Sequence, residues 1–174
     1  MQAARQAISD RLEHSRHTKA KATGALSERC GAFVTLHHAG TLRGCIGFLT
    51  GKENLLKTVI EAALASAFQD SRFGPLQKDE LPQTQIEISV LSPLKRITSV
   101  EEIQVGTHGI LIKQGPNSGL LLPQVAEEYG WDREKFLTNT CYKAGLAGNC
   151  WKDKKTEIEI FSAVVFGEDD TCLI

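Results

Sequence analysis

Residues 31–48 constrain the fold most, because they predict a β-hairpin whose register decides which side chains share a face. Apolar and polar side chains alternate over 31–38, as they do in a half-buried strand. Ala39-Gly40 supplies a two-residue turn, and 41–48 forms the returning strand. The predicted register places three pairs opposite one another: His38 and Thr41, Leu36 and Arg43, Val34 and Cys45.

The returning strand contains the motif Leu42-Arg43-Gly44-Cys45-Ile46-Gly47, which holds the most reactive chemistry of the chain. Side chains two residues apart in a strand point to the same face, so Arg43 and Cys45 are predicted to share one. Gly44 and Gly47 have no side chain and let another segment approach closely. A guanidinium binds anions, and a neighbouring cation lowers the pKa of a thiol. We therefore expect Arg43 and Cys45 to line a functional site.

A second interpretation of the motif is purely structural. A cysteine in a strand is often a small buried apolar residue. Arg43 would then pair with Glu87 or Asp70, and the glycines would serve a tight crossing of two backbones. The sequence leaves both interpretations open.

Residues 54–68 predict the clearest helix, with Asn54 as its N-terminal cap and a continuous apolar face. The helix ends in the loop 69–75, which contains Asp70 and Arg72. A charged loop directly after a buried helix is a candidate rim of a binding cleft. The alternative is a surface ion pair between these two side chains.

The remaining segments predict an α+β protein with antiparallel or mixed sheets. Two hairpins are each followed by a helical part and a strand, and this order is consistent with an internal duplication. The other predicted segments are a helix at 3–12, a polar basic loop at 14–27, a strand at 85–91, a capped turn at 99–102, hairpin strands at 109–113 and 119–122, helices at 123–129 and 132–144, a strand at 156–166 and a mobile acidic run from Glu168 to Asp170.

The composition argues against several classes of protein. The chain has 174 residues and a formal net charge of -1, so no global charge draws it to nucleic acid or to an anionic membrane. No apolar run approaches the roughly 18 residues that a membrane span needs. The five cysteines are odd in number and form no Cys-x-x-Cys pair. They favour reduced thiols in a cytoplasmic protein over a disulfide framework or a zinc site.

Several stretches together resemble the AMMECR family (AMME-syndrome candidate region proteins), whose bacterial and archaeal members are called the A component of the AmmeMemoRadiSam system. The signature is the RGCIG motif at 43–47, and the match runs in family order over about residues 30–168. Phe48 and Ser71 depart from the family pattern, which often has threonine and proline there. The supporting stretches are Gly31–Leu36, Asp70–Leu76, Glu80-Leu81-Pro82, Ile86–Pro93, Gly119–Ala126 and Cys141–Leu146.

The resemblance implies a single AMMECR-type domain over 1–174, built from two lobes with a cleft between them. Residues 1–29 are then an N-terminal helix and basic loop, and 167–174 are an acidic tail. Members are often encoded beside, or fused to, Memo-like and radical S-adenosylmethionine proteins, which implies these as partners in a shared pathway. The resemblance implies no established reaction.

The candidate site residues are chosen from the chemistry of the side chains and from the family resemblance. Cys45 is the candidate nucleophile, and His108 is the least implausible histidine for a base. No metal site and no cofactor motif is evident. The candidate binding residues are Arg43, Gly44, Gly47, Asp70, Arg72, Gln124 and Lys143.

Three functions follow from these observations. The first is an enzyme or enzyme component that binds a small anionic substrate over Arg43 and Cys45. The second is a non-catalytic binding or adaptor protein that receives a peptide or a partner protein. The third is a nucleic-acid binder that uses the basic arm at 11–21, which the near-zero net charge disfavours.

Overall fold

Helices and antiparallel strands make up this chain, which confirms the α+β class. The structure, a computed structural model, describes residues 1–15, 21–51 and 53–168. The chain forms two compact units: unit 1, residues 1–91 and from 164 onward, and unit 2, residues 92–163. Some residues of the predicted basic arm and acidic run lie outside the described ranges: Arg16, His17, Lys19, Asp169 and Asp170.

The sheet of unit 1 is built on the predicted hairpin. β1 (Ala32–His38) pairs with β2 (Thr41–Phe48) on one side and with β3 (Thr84–Leu91) on the other, so β2 lies at the edge. Ala39 and Gly40 form the turn with φ angles of 49° and 78°. Positive φ at both positions is the conformation that suits a two-residue hairpin, because its twist matches that of the strands.

A β-bulge in β2 changes the predicted register beside the motif. Leu36 pairs with Gly44 rather than with Arg43, because Arg43 is the extra residue of the bulge. Cys45 consequently lies opposite Thr35, whereas the predicted register placed it opposite Val34. The predicted register was wrong here because strict alternation sets one residue against one, and no local pattern marks the inserted residue.

Two helices pack in layers on the hairpin of unit 1. α2 (Leu55–Phe68) contacts β1 and β2, and α1 (Gln2–Leu12) packs on α2. Asn54 caps α2 as predicted, since its side chain accepts a hydrogen bond from the Lys57 backbone N–H at 3.0 Å. The buried core between these layers includes Val34, Leu36, Val59, Ala62, Ala63 and Ile86.

Unit 2 has the same order of elements as unit 1: a hairpin, then a helical part, then a strand. Its helix α4 (Arg133–Lys143) packs on the hairpin, and Asp132 caps α4 by accepting a hydrogen bond from the Lys135 N–H at 2.8 Å. The capped turn at Ser99 is confirmed as well. The elements are β4 (Lys95–Arg96), β5 (His108–Gln114), β6 (Asn117–Leu121), α3 (Pro123–Glu128), α4 (Arg133–Lys143) and β7 (Glu157–Gly167), the last of which ends in unit 1.

The turn of the second hairpin is shorter than predicted. Asn117 and Ser118 belong to β6, where they pair with Gln114 and Lys113. The prediction assigned them to the turn because both are common turn residues. Strand pairing overrides that preference here. β4, of two residues, was not predicted and pairs with β7.

Each unit has the same strand order and a similar close contact between a hairpin glycine and the backbone of its helix. The first hairpin strand is central in each, between the second hairpin strand and the later strand. A Cβ on Gly44 would lie 2.3 Å from the backbone oxygen of Ser66 in α2, and a Cβ on Gly119 would lie 2.3 Å from the backbone nitrogen of Ala144 after α4. The cross-strand rows that contain these glycines correspond: Gly44, Leu36 and Ile86 in unit 1, and Gly119, Ile112 and Ile158 in unit 2. This correspondence supports the predicted internal duplication.

A disulfide joins Cys141 to Cys150, which overturns the prediction of reduced thiols for these two residues. Cys141 lies in the last turns of α4, and Gly145 reverses the chain with a φ of 72°. The reversal brings the two Cα atoms to 6.0 Å, although the residues are nine positions apart. An odd number of cysteines does not exclude one pair, so the count was a poor guide.

Glu168 is held in unit 1 rather than lying in a mobile acidic run as predicted. One of its carboxylate oxygens accepts from Arg5 Nε at 2.6 Å, and the other accepts from the Ile86 backbone N–H at 2.9 Å. A local run of acidic residues gives no sign of partners this distant in sequence. Within the part of the chain that the structure describes, none of the helices has the length and apolar character to cross a membrane.

Candidate functional site

The thiol of Cys45 lies in a polar setting on the sheet of unit 1. Its side chain is half-buried, and Thr35 Oγ1 on the neighbouring strand donates a hydrogen bond to Sγ at 3.4 Å. Glu87 on β3 is the next residue in the same cross-strand row, beyond Thr35. The sulfur is therefore neither sealed among aliphatic groups nor paired with a basic side chain.

The loop after α2 binds the backbone of β2 at Cys45. Asp70 Oδ2 accepts from the Cys45 N–H at 2.9 Å, and Arg72 Nη2 donates to the Cys45 carbonyl at 3.3 Å. Asp70 and Arg72 also form a two-point ion pair, with Nε–Oδ1 at 2.9 Å and Nη2–Oδ2 at 2.7 Å. The pair thus takes the place of a neighbouring strand along the exposed edge of β2. The predicted pairing of Asp70 with Arg72 is present, but Asp70 is only 5% exposed and so is not a surface residue.

Arg43 points its guanidinium to a different partner from those the sequence suggested. Arg43 Nε lies 2.7 Å from Glu80 Oε1, and Nη2 lies 3.0 Å from Oε2. The guanidinium carbons of Arg43 and Arg72 lie 5.9 and 5.4 Å from the ring centre of Phe73. Two ion pairs and one shared aromatic ring therefore fasten the loop from Asp70 to Glu80 onto β2.

The pKa of the Cys45 thiol is raised, contrary to the expectation that Arg43 would lower it. Burial is the largest cause, and the negative charges of Asp70 and Glu87 add to it. The hydrogen bond from Thr35 and the positive charge of Arg72 oppose the rise. The thiol is therefore protonated at neutral pH, and the cation that acts on it is Arg72 rather than Arg43.

The two carboxylates of the site are held in their ionised form. The hydrogen bond from Arg72 is the main cause that lowers the pKa of Asp70. The hydrogen bond from Arg43 lowers the pKa of Glu80 to about 2. Each guanidinium is consequently matched by one carboxylate, and the region has no surplus positive charge.

The two glycines of the motif have packing roles. Gly44 allows the backbone of α2 to pass over β2 at Ser66. A Cβ on Gly47 would lie 2.3 Å from the ring of Phe33 and 2.5 Å from the Ala32 carbonyl oxygen. The structural interpretation therefore accounts for both glycines, whereas Arg43 and Cys45 keep a polar environment.

The predicted site residues divide between the two units. Unit 1 brings together Arg43, Gly44, Cys45, Gly47, Asp70 and Arg72. Unit 2 contains His108, Gln124 and Lys143, so unit 1 by itself offers Cys45 none of these side chains. His108 Nδ1 already accepts a hydrogen bond from the Gln104 N–H at 3.1 Å. Gln124 lies half-buried in α3, and Lys143 is exposed at the end of α4.

Three side chains of the site were missed as site residues. The sequence pattern places Thr35 only in the first strand, Phe73 only in the loop after the helix, and Glu80 only in a stretch that matches the family. The bulge and the fold of the loop bring them to the motif, and no local pattern reports either. Among the described residues, no group of three or more His, Cys, Asp or Glu side chains is placed to hold a metal ion.

Comparison with known proteins places the chain among archaeal relatives. The family model AMMECR1 matches residues 1–166. A protein of Methanothermobacter thermautotrophicus is 42% identical over 175 residues, which cover 95% of this chain and 91% of the relative. A protein of Nanoarchaeum equitans is 44% identical over 151 residues, which cover 83% of this chain and 84% of the relative.

A solved structure has the same fold. The crystal structure of an uncharacterized protein from Pyrococcus horikoshii superposes with a TM-score of 0.91 at 40% sequence identity. The superposition covers 97% of this chain and 89% of that one. The fold is thus shared over nearly the whole of both chains.

Proposed function

This chain belongs to the AMMECR1 family, and from that premise we propose that unit 1 binds a small anionic ligand at Cys45, Arg72 and Phe73. In this proposal Cys45 acts as a protonated thiol that contacts the ligand. The observation that carries the proposal is a half-buried thiol beside a half-exposed guanidinium, each fixed by its own hydrogen bonds.

Arg72 is the group that can meet an anion. Its side chain is 50% exposed, whereas that of Arg43 is 15% exposed and donates through Nε and Nη2 to Glu80. Asp70 engages Nε and Nη2 of Arg72, and in the described part of the chain Nη1 makes no hydrogen bond. That nitrogen can donate to a carboxylate or phosphate oxygen beside the ring of Phe73.

Binding is favoured over nucleophilic catalysis by the state of the thiol. A nucleophilic cysteine needs a thiolate at working pH, and the raised pKa of Cys45 opposes one. An enzymatic role would need a base from the ligand or from a partner. We therefore place the anion-binding role first and the enzyme role second.

Alkylation of Cys45 by iodoacetamide tests the proposal. Cys30→Ser and Cys172→Ser leave Cys45 as the one reduced cysteine outside the disulfide, because Cys141 and Cys150 are joined. At about pH 7.5 we expect slower alkylation than for free cysteine, with a midpoint above about 8.5. Arg72→Ala slows the reaction further, because it removes the charge that lowers the pKa of the thiol. Arg43→Ala is the matched control and leaves the pH profile unchanged.

Protection from alkylation then tests the ligand. A panel of small carboxylates and phosphate esters should contain compounds that slow the reaction in the parent protein and not in Arg72→Ala. Fast alkylation at neutral pH in the unliganded protein would refute the protonated-thiol assignment and restore the activated nucleophile. Protection that persists in Arg72→Ala would refute the assigned anion contact.

We propose an adaptor role as a second function, because the end of β7 exposes three consecutive apolar side chains. Val164, Val165 and Phe166 are 59%, 40% and 44% exposed. Val164 and Phe166 are two residues apart in the strand and so lie on one face, and neighbouring exposed apolar side chains are typical of protein contacts. The partners proposed from the family resemblance are Memo-like and radical S-adenosylmethionine proteins. Co-purification with each of them, lost in Phe166→Ser, checks this role.

A further inference from the structure

Unit 2 contains a cavity of about 240 Å³ that is separate from the motif of unit 1. One wall is the segment from Arg96 to Val100, and the opposite wall runs from Trp151 to Ile158. Its volume is below the roughly 300 Å³ at which drug-sized pockets begin, so it suits a compound of a few heavy atoms.

The charges around the cavity leave two cations unmatched. Arg96 pairs with Glu157 at 3.2 Å. Asp153 accepts from the Lys155 N–H at 2.9 Å and from Gln114 Nε2 at 3.1 Å. Across the described ranges, neither Lys152 nor Lys154 forms an ion pair with a carboxylate. The cavity is thus lined by three cations against two carboxylates, unlike the motif region of unit 1, where each guanidinium is neutralised.

Both walls are fixed before any ligand arrives. The Glu102 carboxylate accepts from the N–H groups of Thr98 and Ser99 at 3.1 and 3.4 Å. On the other side, Thr156 Oγ1 donates to the Cys150 carbonyl at 2.7 Å, and the disulfide ties Cys150 to α4. A preformed site loses little conformational entropy when a ligand binds. A small ligand that makes few contacts can therefore bind there.

From these observations we propose that the cavity binds a small phosphate ester, with Lys152 and Lys154 holding its dianionic group. A phosphate ester is close to doubly charged at pH 7, which matches two unpaired ammonium groups. Singly charged carboxylates satisfy only one of them. The proposal does not depend on the site at Cys45, because none of the residues that line the cavity belongs to unit 1.

Trp151 reports occupancy of the cavity. Lys152 Nζ lies 4.6 Å from the centre of the Trp151 ring, so a ligand that draws the ammonium away changes the fluorescence of the indole. The chain has two tryptophans, and Trp131→Phe removes the other one. Trp151→Phe should abolish the fluorescence response while calorimetry still detects binding.

The experiment titrates the full chain carrying Trp131→Phe with inorganic phosphate and with glycerol phosphate at low ionic strength. We expect a saturable change that is weaker at pH 5 than at pH 8, because the dianion of the ester, with a second pKa of about 6, is protonated at the lower pH. Lys154→Ala and Lys152→Ala should each weaken binding about fivefold, read by calorimetry where the indole signal is altered. Lys155→Ala is the matched control, since Lys155 is adjacent to Lys154 in the chain but does not line the cavity, and it should change affinity less than about twofold.

Two outcomes overturn the assignment of the site, and a third overturns the assignment of the ligand. One is the absence of any saturable response to either phosphate compound by fluorescence and by calorimetry. The other is an equal loss of affinity in Lys155→Ala and Lys154→Ala, which would indicate attraction to the basic segment in general. Acetate that binds as tightly as phosphate would refute the dianion assignment.

Discussion

At the scale of single residues, the charges around the motif fasten the loop after α2 to β2. Glu80 receives both the Arg43 fork and the Gln77 backbone N–H at 2.8 Å. Asp70 receives Arg72 and the Cys45 backbone N–H. These carboxylates are fixed by charged donors and stay ionised, so they contribute to stability in a way that depends on pH.

Glu80→Gln should lower the free energy of unfolding by about 1–2 kcal/mol near pH 7, because it replaces a charged hydrogen-bond acceptor by a neutral one. The pKa of Glu80 is lowered from 4.5 to about 2 in the folded chain. The stabilisation is therefore complete above pH 4.5 and is lost as the pH falls towards about 2. Urea unfolding of parent and variant at a series of pH values measures the difference.

The matched control is Glu53→Gln, which removes a carboxylate that is 57% exposed and pairs with Lys57 four positions along the chain. It should change stability by less than about 0.5 kcal/mol at any pH. An equal effect of the two variants would contradict the special role of Glu80.

At the scale of elements, each hairpin meets its helix at a glycine. α2 crosses β2 at Gly44, and the end of α4 crosses β6 at Gly119. Ser66 of α2 adds hydrogen bonds to both hairpin strands: it donates to the Val34 carbonyl at 2.7 Å and accepts from the Ile46 N–H at 2.8 Å. The bulge and the crossing together place the motif directly under the loop after the helix.

Gly44→Ala should lower the free energy of unfolding by about 1–3 kcal/mol, because the new Cβ would meet backbone that cannot move alone. The nearest atom is the Ser66 carbonyl oxygen at 2.3 Å. Gly74→Ala is the control, since it lies in the neighbouring loop with nothing within 4 Å of the added Cβ. Denaturant midpoints of both variants check the prediction, and an unchanged midpoint in Gly44→Ala would refute the close crossing.

Reduction of the disulfide between Cys141 and Cys150 should lower the free energy of unfolding by about 2–3 kcal/mol, because the bond closes a short loop in the core of unit 2. Thiol titration of the denatured Cys172→Ser variant without reductant should find two of its four cysteines reactive, namely Cys30 and Cys45. The double variant Cys141→Ala and Cys150→Ala should become insensitive to reductant. Four reactive thiols in that unreduced variant would contradict the bond.

At the scale of the whole molecule, the two ends of the described chain meet within unit 1. Arg5 in α1 binds Glu168 beyond β7, and its Nη1 also donates to the Leu81 carbonyl at 3.1 Å. Unit 1 is therefore completed only when the chain returns from unit 2. The family model likewise spans both units, over residues 1–166.

Glu168→Ala should lower the free energy of unfolding by about 1–2 kcal/mol, because Arg5 and the Ile86 N–H both lose their acceptor. Glu128→Ala is the control, since this exposed residue at the end of α3 forms no ion pair among the described residues. Hydrogen exchange at Ile86 should speed up in the first variant only. Unchanged exchange there would contradict the contact.

The sequence by itself determined the elements that depend on neighbours along the chain. The turn at Ala39-Gly40, the cap at Asn54 and the cap at Asp132 are confirmed, because each rests on contacts within a few residues. The motif also pointed to the region in which Cys45, Asp70 and Arg72 meet. Local spacing and side-chain preference are sufficient for such features.

Only the tertiary structure decided the register at Arg43, its pairing with Glu80, the raised pKa of Cys45 and the disulfide of unit 2. Each of these depends on which segments pack together and on how much water the packing removes. A bulge shifts the strand by one residue without any mark in the sequence, and burial changes the ionisation of a thiol that local charges alone would favour. Long-range packing, rather than the order of residues in the motif, therefore set the chemistry of the site.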